Sequence, residues 1–169
     1  MQDDLKKAVE VLKKGGLILY PTDTTWGIGC DATNAEAVSQ IYRIKQHEDA
    51  QSMLILLENP ALLERYVNDV PDVAWDLVEI TTTPLTVIYP GAKNLPDNLI
   101  AEDGSIGIRF TKELFTTQLL QRFRRPVVCT SANISGETAP SFFDEISEIL
   151  KDQVDYVVRY RQEDTLPVN

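Results

Sequence analysis

Tyr20-Pro21-Thr22-Asp23-Thr24-Thr25-Trp26-Gly27-Ile28-Gly29-Cys30-Asp31 is the stretch on which the reading of this chain turns. It follows Leu17-Ile18-Leu19, an apolar run that reads as a short buried strand. Pro21 ends regular pairing there, because it has no N–H and its φ is fixed. Hydroxyl, carboxyl and indole groups then crowd together ahead of Gly27 and Gly29. Three hydroxyls and a carboxylate leaving a buried strand suit a polar ligand better than a plain turn. The two glycines would let the backbone come close to that ligand. The expected setting is a polar loop running from a strand into a helix.

Outward from this loop, strands alternate with helices. Leu5, Ala8, Val9 and Leu12 repeat at helical spacing after Asp4, and Gly15-Gly16 stop that helix. Downstream, Asn34 is set to cap a helix with Ala37, Val38, Ile41 and Tyr42 inward, ending near Lys45. Met53 to Leu57 is the second strand, and Asn59-Pro60 opens a third helix with proline at its first position. Pro71 starts a fourth helix carrying Val73, Ala74, Leu77 and Ile80, and Pro84 to Tyr89 is the third strand. A long irregular segment, Gly91 to Gly104, leads to a strand over Ser105 to Phe110. Thr111 then caps a helix using Phe115, Leu119, Leu120 and Phe123, and Arg122, Arg124 and Arg125 suit its C-terminal dipole. A strand over Pro126 to Thr130 leads into Ser131-Ala-Asn133. Ser141 caps a last helix with Phe142, Phe143, Ile146, Ile149 and Leu150 inward, and Asp155 to Tyr160 is the last strand. This order predicts one α/β domain over residues 1–169, with a twisted sheet that is mixed or largely parallel.

Composition narrows the function. With 43% apolar and 25% charged residues the 169-residue chain is globular, and no apolar run approaches the ~18 residues that span a bilayer. The charged N-terminus lacks a signal-peptide core, so a cytoplasmic protein that makes no use of a membrane is expected. A net charge of −10 opposes broad duplex binding but permits a small anion site. Cys30 and Cys129 form no CxxC pair and read as buried thiols; with His47 the single histidine, no metal cluster is expected.

No nucleophilic triad, P-loop or G-x-G-x-x-G can be assembled. What remains is a set of loop hydroxyls, amides and cations: Thr22, Thr24, Lys45, Arg109, Ser131 and Asn133. Such groups bind phosphates and carboxylates and favour catalysis by positioning and electrostatics. Each also has a plainer reading. Lys45 can be an ordinary helix-end lysine, Arg109 can face water, Ser131 and Asn133 can form a turn, and Trp26 can plug the core.

Pro21 to Asp31, Ile41-Tyr-Arg-Ile-Lys45, Pro84-Leu-Thr86, Ile106-Gly-Ile-Arg109 and Thr130-Ser-Ala-Asn133 follow in the order and approximate spacing of the YrdC family, which the chain resembles from about Gly15 to about Tyr160. The resemblance implies a twisted open sheet with a concave ligand face. It also implies a threonylcarbamoyl-AMP synthase, a nucleotidyltransferase. Such enzymes join L-threonine, bicarbonate and ATP, release pyrophosphate, and serve the modification of adenosine 37 (t6A) in tRNA. Magnesium accompanies the ATP, and RNA or tRNA-modification proteins would be partners. By position, the substrate contacts are Thr22, Thr24, Trp26, Lys45, His47 and Gln51. The nucleotide contacts are Arg109, Thr130, Ser131 and Asn133.

Two positions depart from the family pattern, in which Lys-x-Arg is followed four residues later by Lys or Arg. Here they read His47 and Gln51. A charge-assisted hydrogen bond contributes about 1.5–3 kcal/mol, so losing two costs about 3–6 kcal/mol. The family also usually continues with a Ser-Thr segment and another strand; this chain stops at Asn169, as a truncation or as a site without a closing edge. Three functions follow: an active synthase, a nucleotide-binding relative whose reaction is lost or changed, or an RNA-binding module.

Overall fold

A hairpin, not a strand-to-helix loop, is what the decisive stretch builds. In the computed structural model, which describes residues 1–46, 53–80, 83–134, 137–140 and 142–164, β1 (Ile18–Pro21) turns back through Thr22–Thr25 into β2 (Trp26–Gly29). Pro21 is the last residue of β1 and is paired with Trp26; its missing N–H costs little at a strand end. The remaining strands are β3 (Leu54–Leu57), β4 (Thr86–Tyr89), β5 (Ile106–Phe110), β6 (Val127–Ser131) and β7 (Tyr156–Val157). Together they form one sheet of order β4-β5-β3-β6-β2-β1-β7. Only β3–β5 and β1–β7 pair in parallel; the other four ladders are antiparallel. Of the two arrangements expected, the mixed one is observed.

Gly29 owes its identity to packing inside this sheet, not to approach by a ligand. A Cβ on Gly29 would lie 2.5 Å from the Tyr20 ring and 2.7 Å from the Val128 carbonyl oxygen. The Tyr20 ring cannot step aside, because it is fully buried and its hydroxyl donates to that same carbonyl at 2.9 Å. Gly29→Ala is therefore expected to cost about 2 kcal/mol by forcing β2 away from its neighbours. Thermal melting checks this, and an unchanged midpoint would refute it.

Helices α1 (Gln2–Lys13), α2 (Ala35–Lys45), α3 (Asp72–Ile80), α4 (Leu114–Phe123) and α5 (Glu148–Gln153) flank the sheet. In α1, Leu5, Ala8, Val9 and Leu12 are buried as expected, and so is Asp4. That carboxylate accepts the Tyr156 hydroxyl and the backbone N–H groups of Arg159 and Tyr160. Those backbone groups are consequently not available to a ladder, so β7 covers two residues and not the expected Asp155 to Tyr160.

Other local readings shift. The third helix is a 3-10 helix over Pro60–Arg65, capped by Asn59. In α3 the inward residues are Ala74, Trp75 and Val78, whereas Val73 and Leu77 are exposed. The cap of α4 is Glu113, whose carboxylate accepts the Thr116 N–H at 2.9 Å, and not Thr111. Ser141 lies outside the described residues; α5 is capped by Ser147, with Ile146 and Leu150 buried but Phe142 and Ile149 exposed. The segment from Gly91 to Gly104 is tied down: Leu99 is buried, and the Asn98 amide donates to the Ala35 carbonyl oxygen and the Ser39 hydroxyl.

The sheet curls strongly. Although β1 and β5 stand four places apart in the strand order, the β1–β2 turn meets the end of β5. Asp23 accepts the Thr111 hydroxyl and the Lys112 N–H, the latter at 2.9 Å. This closure brings side chains from distant parts of the sequence to one face.

Candidate functional site

Side chains alternate across each strand, and the registers place Gly27, Ser131, Cys129, Leu54, Gly107, Arg109, Thr86 and Ile88 on one face of the sheet. Arg109 leans across this face. Its Nε donates to Thr86 Oγ1 at 2.9 Å and its Nη1 to Thr24 Oγ1 at 3.1 Å. Arg109 is thus held by two neutral hydroxyls, and no carboxylate pairs with it among the described residues. A guanidinium has five N–H donors, so about three remain for a ligand.

Thr24 is positioned by Thr22. The Thr22 hydroxyl accepts the N–H groups of Thr24 and Thr25, both at 3.2 Å, and donates to the Thr25 carbonyl oxygen. With both Thr22 lone pairs taken by these N–H groups, the Thr24 hydroxyl, 3.4 Å away, is left to accept from Arg109. Thr22 itself has no hydrogen bond left to offer. It organises the turn and is not available as a substrate contact.

Lys45 ends α2, where a cation complements the helix dipole. It is buried to 4% exposure, and its ammonium donates to the Ser131 carbonyl oxygen at 2.6 Å. No carboxylate pairs with it among the described residues. Burial lowers its pKa from 10.5 to about 8. Between the two cations lies Cys129, and both Arg109 and Lys45 pull its pKa down. Burial outweighs them and raises it, so the thiol stays protonated at neutral pH and is a poor nucleophile.

Just beyond β6, Asn133 donates its amide N–H groups to the carbonyl oxygens of Ile134 and Glu137, at 3.2 and 2.7 Å. Its side-chain oxygen is buried and has no partner among the described residues, so it is an acceptor held ready by its own amide.

Of the residues singled out in the sequence, the structure gathers Thr24, Arg109, Lys45, Ser131 and Asn133 around the hairpin and the end of β6. Trp26 does not join them. Its ring is fully buried on the opposite face and packs on Phe143 with centroids 5.1 Å apart, so it is a core residue. Thr130 alternates to that opposite face as well and is buried. His47 and Gln51 lie outside the described residues. Three contributors were not singled out. Asp23 latches the turn, Thr86 holds Arg109, and Cys129 forms the floor between the cations. Thr86 was legible within Pro84-Leu-Thr86; Asp23 carried no signal beyond its place in the loop.

Comparison with known proteins agrees with this architecture. The family model Sua5_yciO_yrdC, described as telomere recombination, matches residues 10–167. A Pseudoalteromonas translucida (strain TAC 125) protein named threonylcarbamoyl-AMP synthase is 32% identical over 160 residues, 93% of this chain and 86% of its own length. The uncharacterized protein YciO of Escherichia coli (strain K12) is also 32% identical, over 157 residues, 91% of this chain and 76% of its own. The E. coli YciO crystal structure superposes with a TM-score of 0.82 at 31% identity, covering 93% of this chain and 77% of that one. The crystal structure of P. abyssi Sua5 complexed with L-threonine superposes with a TM-score of 0.85 at 23% identity, a likeness of fold. This chain covers 90% of its own length in that match and 45% of the Sua5 chain. No helix among the described residues is long and apolar enough to cross a membrane.

Proposed function

Since this chain belongs to the Sua5/YciO/YrdC family, we propose that its curled face binds L-threonine, bicarbonate and ATP and joins them into threonylcarbamoyl-AMP. The observation that carries this reading is the pair of cations, Arg109 and Lys45, facing one floor without carboxylate partners among the described residues. Unbalanced positive charge held by hydroxyls and carbonyls is a receptor for anionic groups. All three substrates carry such groups.

Two bonds are made in the reaction. The threonine nitrogen bonds to the bicarbonate carbon, with one oxygen leaving as water. A carbamate oxygen bonds to the α-phosphorus, with pyrophosphate leaving. Neither step requires a protein nucleophile, in keeping with a protonated Cys129. Arg109 would hold the phosphates, Thr24 would lie beside the threonine moiety, and Lys45 would meet a carboxylate or phosphate. Ser131 and Asn133 would complete the nucleotide end. No cluster of three metal-binding side chains occurs among the described residues. Magnesium would enter with the substrate as MgATP, with the phosphates as its ligands.

The test is pyrophosphate release that requires both L-threonine and bicarbonate. A second reading stays open because E. coli YciO, also 32% identical, is named an uncharacterized protein, so family membership alone does not fix the reaction. In that reading the chain keeps nucleotide affinity without this reaction. ATP binding with no release above blank at millimolar substrates would select it and exclude the first.

Lys45 gives the site a pH dependence. An anion beside the ammonium restores the charge that burial disfavours, so binding raises its pKa back from about 8. Between about 8 and 10.5 the free protein has lost this proton and must take it up again on binding. Affinity for the anionic substrate is expected to fall about tenfold per pH unit above about 8. Calorimetry in two buffers of different ionisation enthalpy measures the proton directly, and binding without proton uptake at pH 9 would refute it. The sign for folding is opposite. The unfolded state holds the proton through this window, so the unliganded protein gains stability as pH rises from about 8 towards 10.5.

A further inference from the structure

At the other end of β6 from Ser131, beside Pro126, the surface opens into a separate cleft of about 290 Å³. Strand rise puts it about 15 Å from the site described above. Arg65, Arg124 and Arg125 line it together with Tyr66 and one carboxylate, Glu58. Three guanidiniums on one cleft repel one another, and in a chain of net charge −10 neutralising carboxylates are plentiful. Yet among the described residues neither Arg65 nor Arg124 has an ion-pair partner, and the Tyr66 hydroxyl has no hydrogen-bond partner.

One of the arginines is also oriented. Arg125 pairs with the buried Asp31 at 2.8 Å and lies over the Phe123 ring at 5.5 Å. Asp31 is in turn fixed by the N–H and hydroxyl of Thr33. Arg124 follows α4 with φ of 65°, a left-handed conformation in which glycine is favoured. An arginine is kept there at some cost to the backbone.

We propose that this cleft is a second anion site, selective for phosphate oxygens, in which Arg65 and Arg124 supply the free guanidinium donors and Tyr66 a hydroxyl. Arg125 is anchored by Asp31 and contributes its remaining N–H groups. Guanidinium forks match phosphate oxygens bidentately. Phosphate oxygens can come from a free oxyanion or from the backbone of a single-stranded RNA, and the experiment separates the two.

The full-length chain is titrated with inorganic pyrophosphate and, separately, with a single-stranded RNA oligonucleotide, each at about 50 and 200 mM salt. Arg124→Gly and Arg65→Ser are compared with the unmodified chain. Glycine suits the φ at position 124, so Arg124→Gly keeps the fold while removing the charge. Each variant is expected to weaken binding about five- to tenfold and to leave catalytic pyrophosphate release unchanged. A loss confined to pyrophosphate identifies a free oxyanion as the ligand. A loss on RNA with a shallower salt dependence identifies a nucleic-acid backbone. Affinities that both variants leave unchanged, or no saturable binding of either ligand by the unmodified chain, would overturn the proposal.

Discussion

Arg109→Ala is expected to lower kcat/KM for threonine-dependent pyrophosphate release by about 10²–10⁴, the loss of two charge-assisted hydrogen bonds to the substrate. The fork that Nε and Nη1 make with Thr86 and Thr24 determines which N–H groups face outward. A lysine at this position restores the charge but cannot reach both hydroxyls in one plane, so Arg109→Lys should recover less than about tenfold. Thr86→Val, which keeps the side-chain volume and removes the Nε tether, should lower kcat more than it raises KM. Folding is little affected in all three, because Arg109 has no ion pair among the described residues and water can enter the space a shorter side chain leaves. A kcat/KM for Arg109→Ala within fivefold of the unmodified enzyme, at an unchanged melting temperature, would remove Arg109 from the site. Where the reaction itself is absent, the same variants are read on ATP affinity.

Arg109 also illustrates what sequence reading reaches. Strand alternation with Ile106 and Ile108 puts it on the other face of β5, as the register shows. Whether that face meets water or a partner depended on Thr24, 85 residues earlier in the chain. Lys45 was legible as the end of an amphipathic helix, but its contact with Ser131 spans 86 residues and follows from the antiparallel β2–β6 ladder. That ladder was hidden because Trp26-Gly-Ile-Gly29 has the composition of a loop. Two glycines lower strand propensity, and only the close approach of Tyr20 and Val128 explains why Gly29 is required in a strand. With β2 unseen, the apparent alternation of strands and helices favoured a more parallel sheet than the one formed. Trp26 and Thr130 were misassigned for the same reason: neighbours along a strand point to opposite faces, so a motif contiguous in sequence is divided between site and core. Core positions suffered less. The buried stripes of α1, α2 and α4 depend on a local 3.6-residue period. The inward face of α3 was misjudged because its apolar residues lie nearly all round the helix.

Asp23 tests whether the hairpin tip and the chemistry are one unit. Its carboxylate accepts the Thr111 hydroxyl, the Lys112 N–H at 2.9 Å and, more weakly, the Glu113 N–H at 3.4 Å. These groups lie at the entrance to α4, where a negative charge also complements the helix dipole. Asp23→Ala removes the acceptor for the Thr111 hydroxyl and the Lys112 N–H, whereas the Glu113 N–H keeps the Thr111 hydroxyl oxygen at 3.2 Å. The site is half open to water, which replaces part of what is lost, so the expected cost is about 3 kcal/mol and not the sum of fully buried bonds. The larger consequence is for Thr24, the next residue, which loses its fixed position relative to Arg109. A displacement of about 1 Å in a positioning group can cost on the order of 10²-fold in rate, so kcat/KM should fall about 10²-fold although Asp23 touches no substrate. Asp23→Asn keeps an oxygen acceptor and should fall between the two. Hydrogen exchange separates this role from that of Arg109. The amide of Lys112 should exchange faster in Asp23→Ala and at the normal rate in Arg109→Ala. Unchanged exchange at Lys112 in Asp23→Ala, or a rate within threefold of the unmodified enzyme, would show that the curl of the sheet holds the tip in place without the latch.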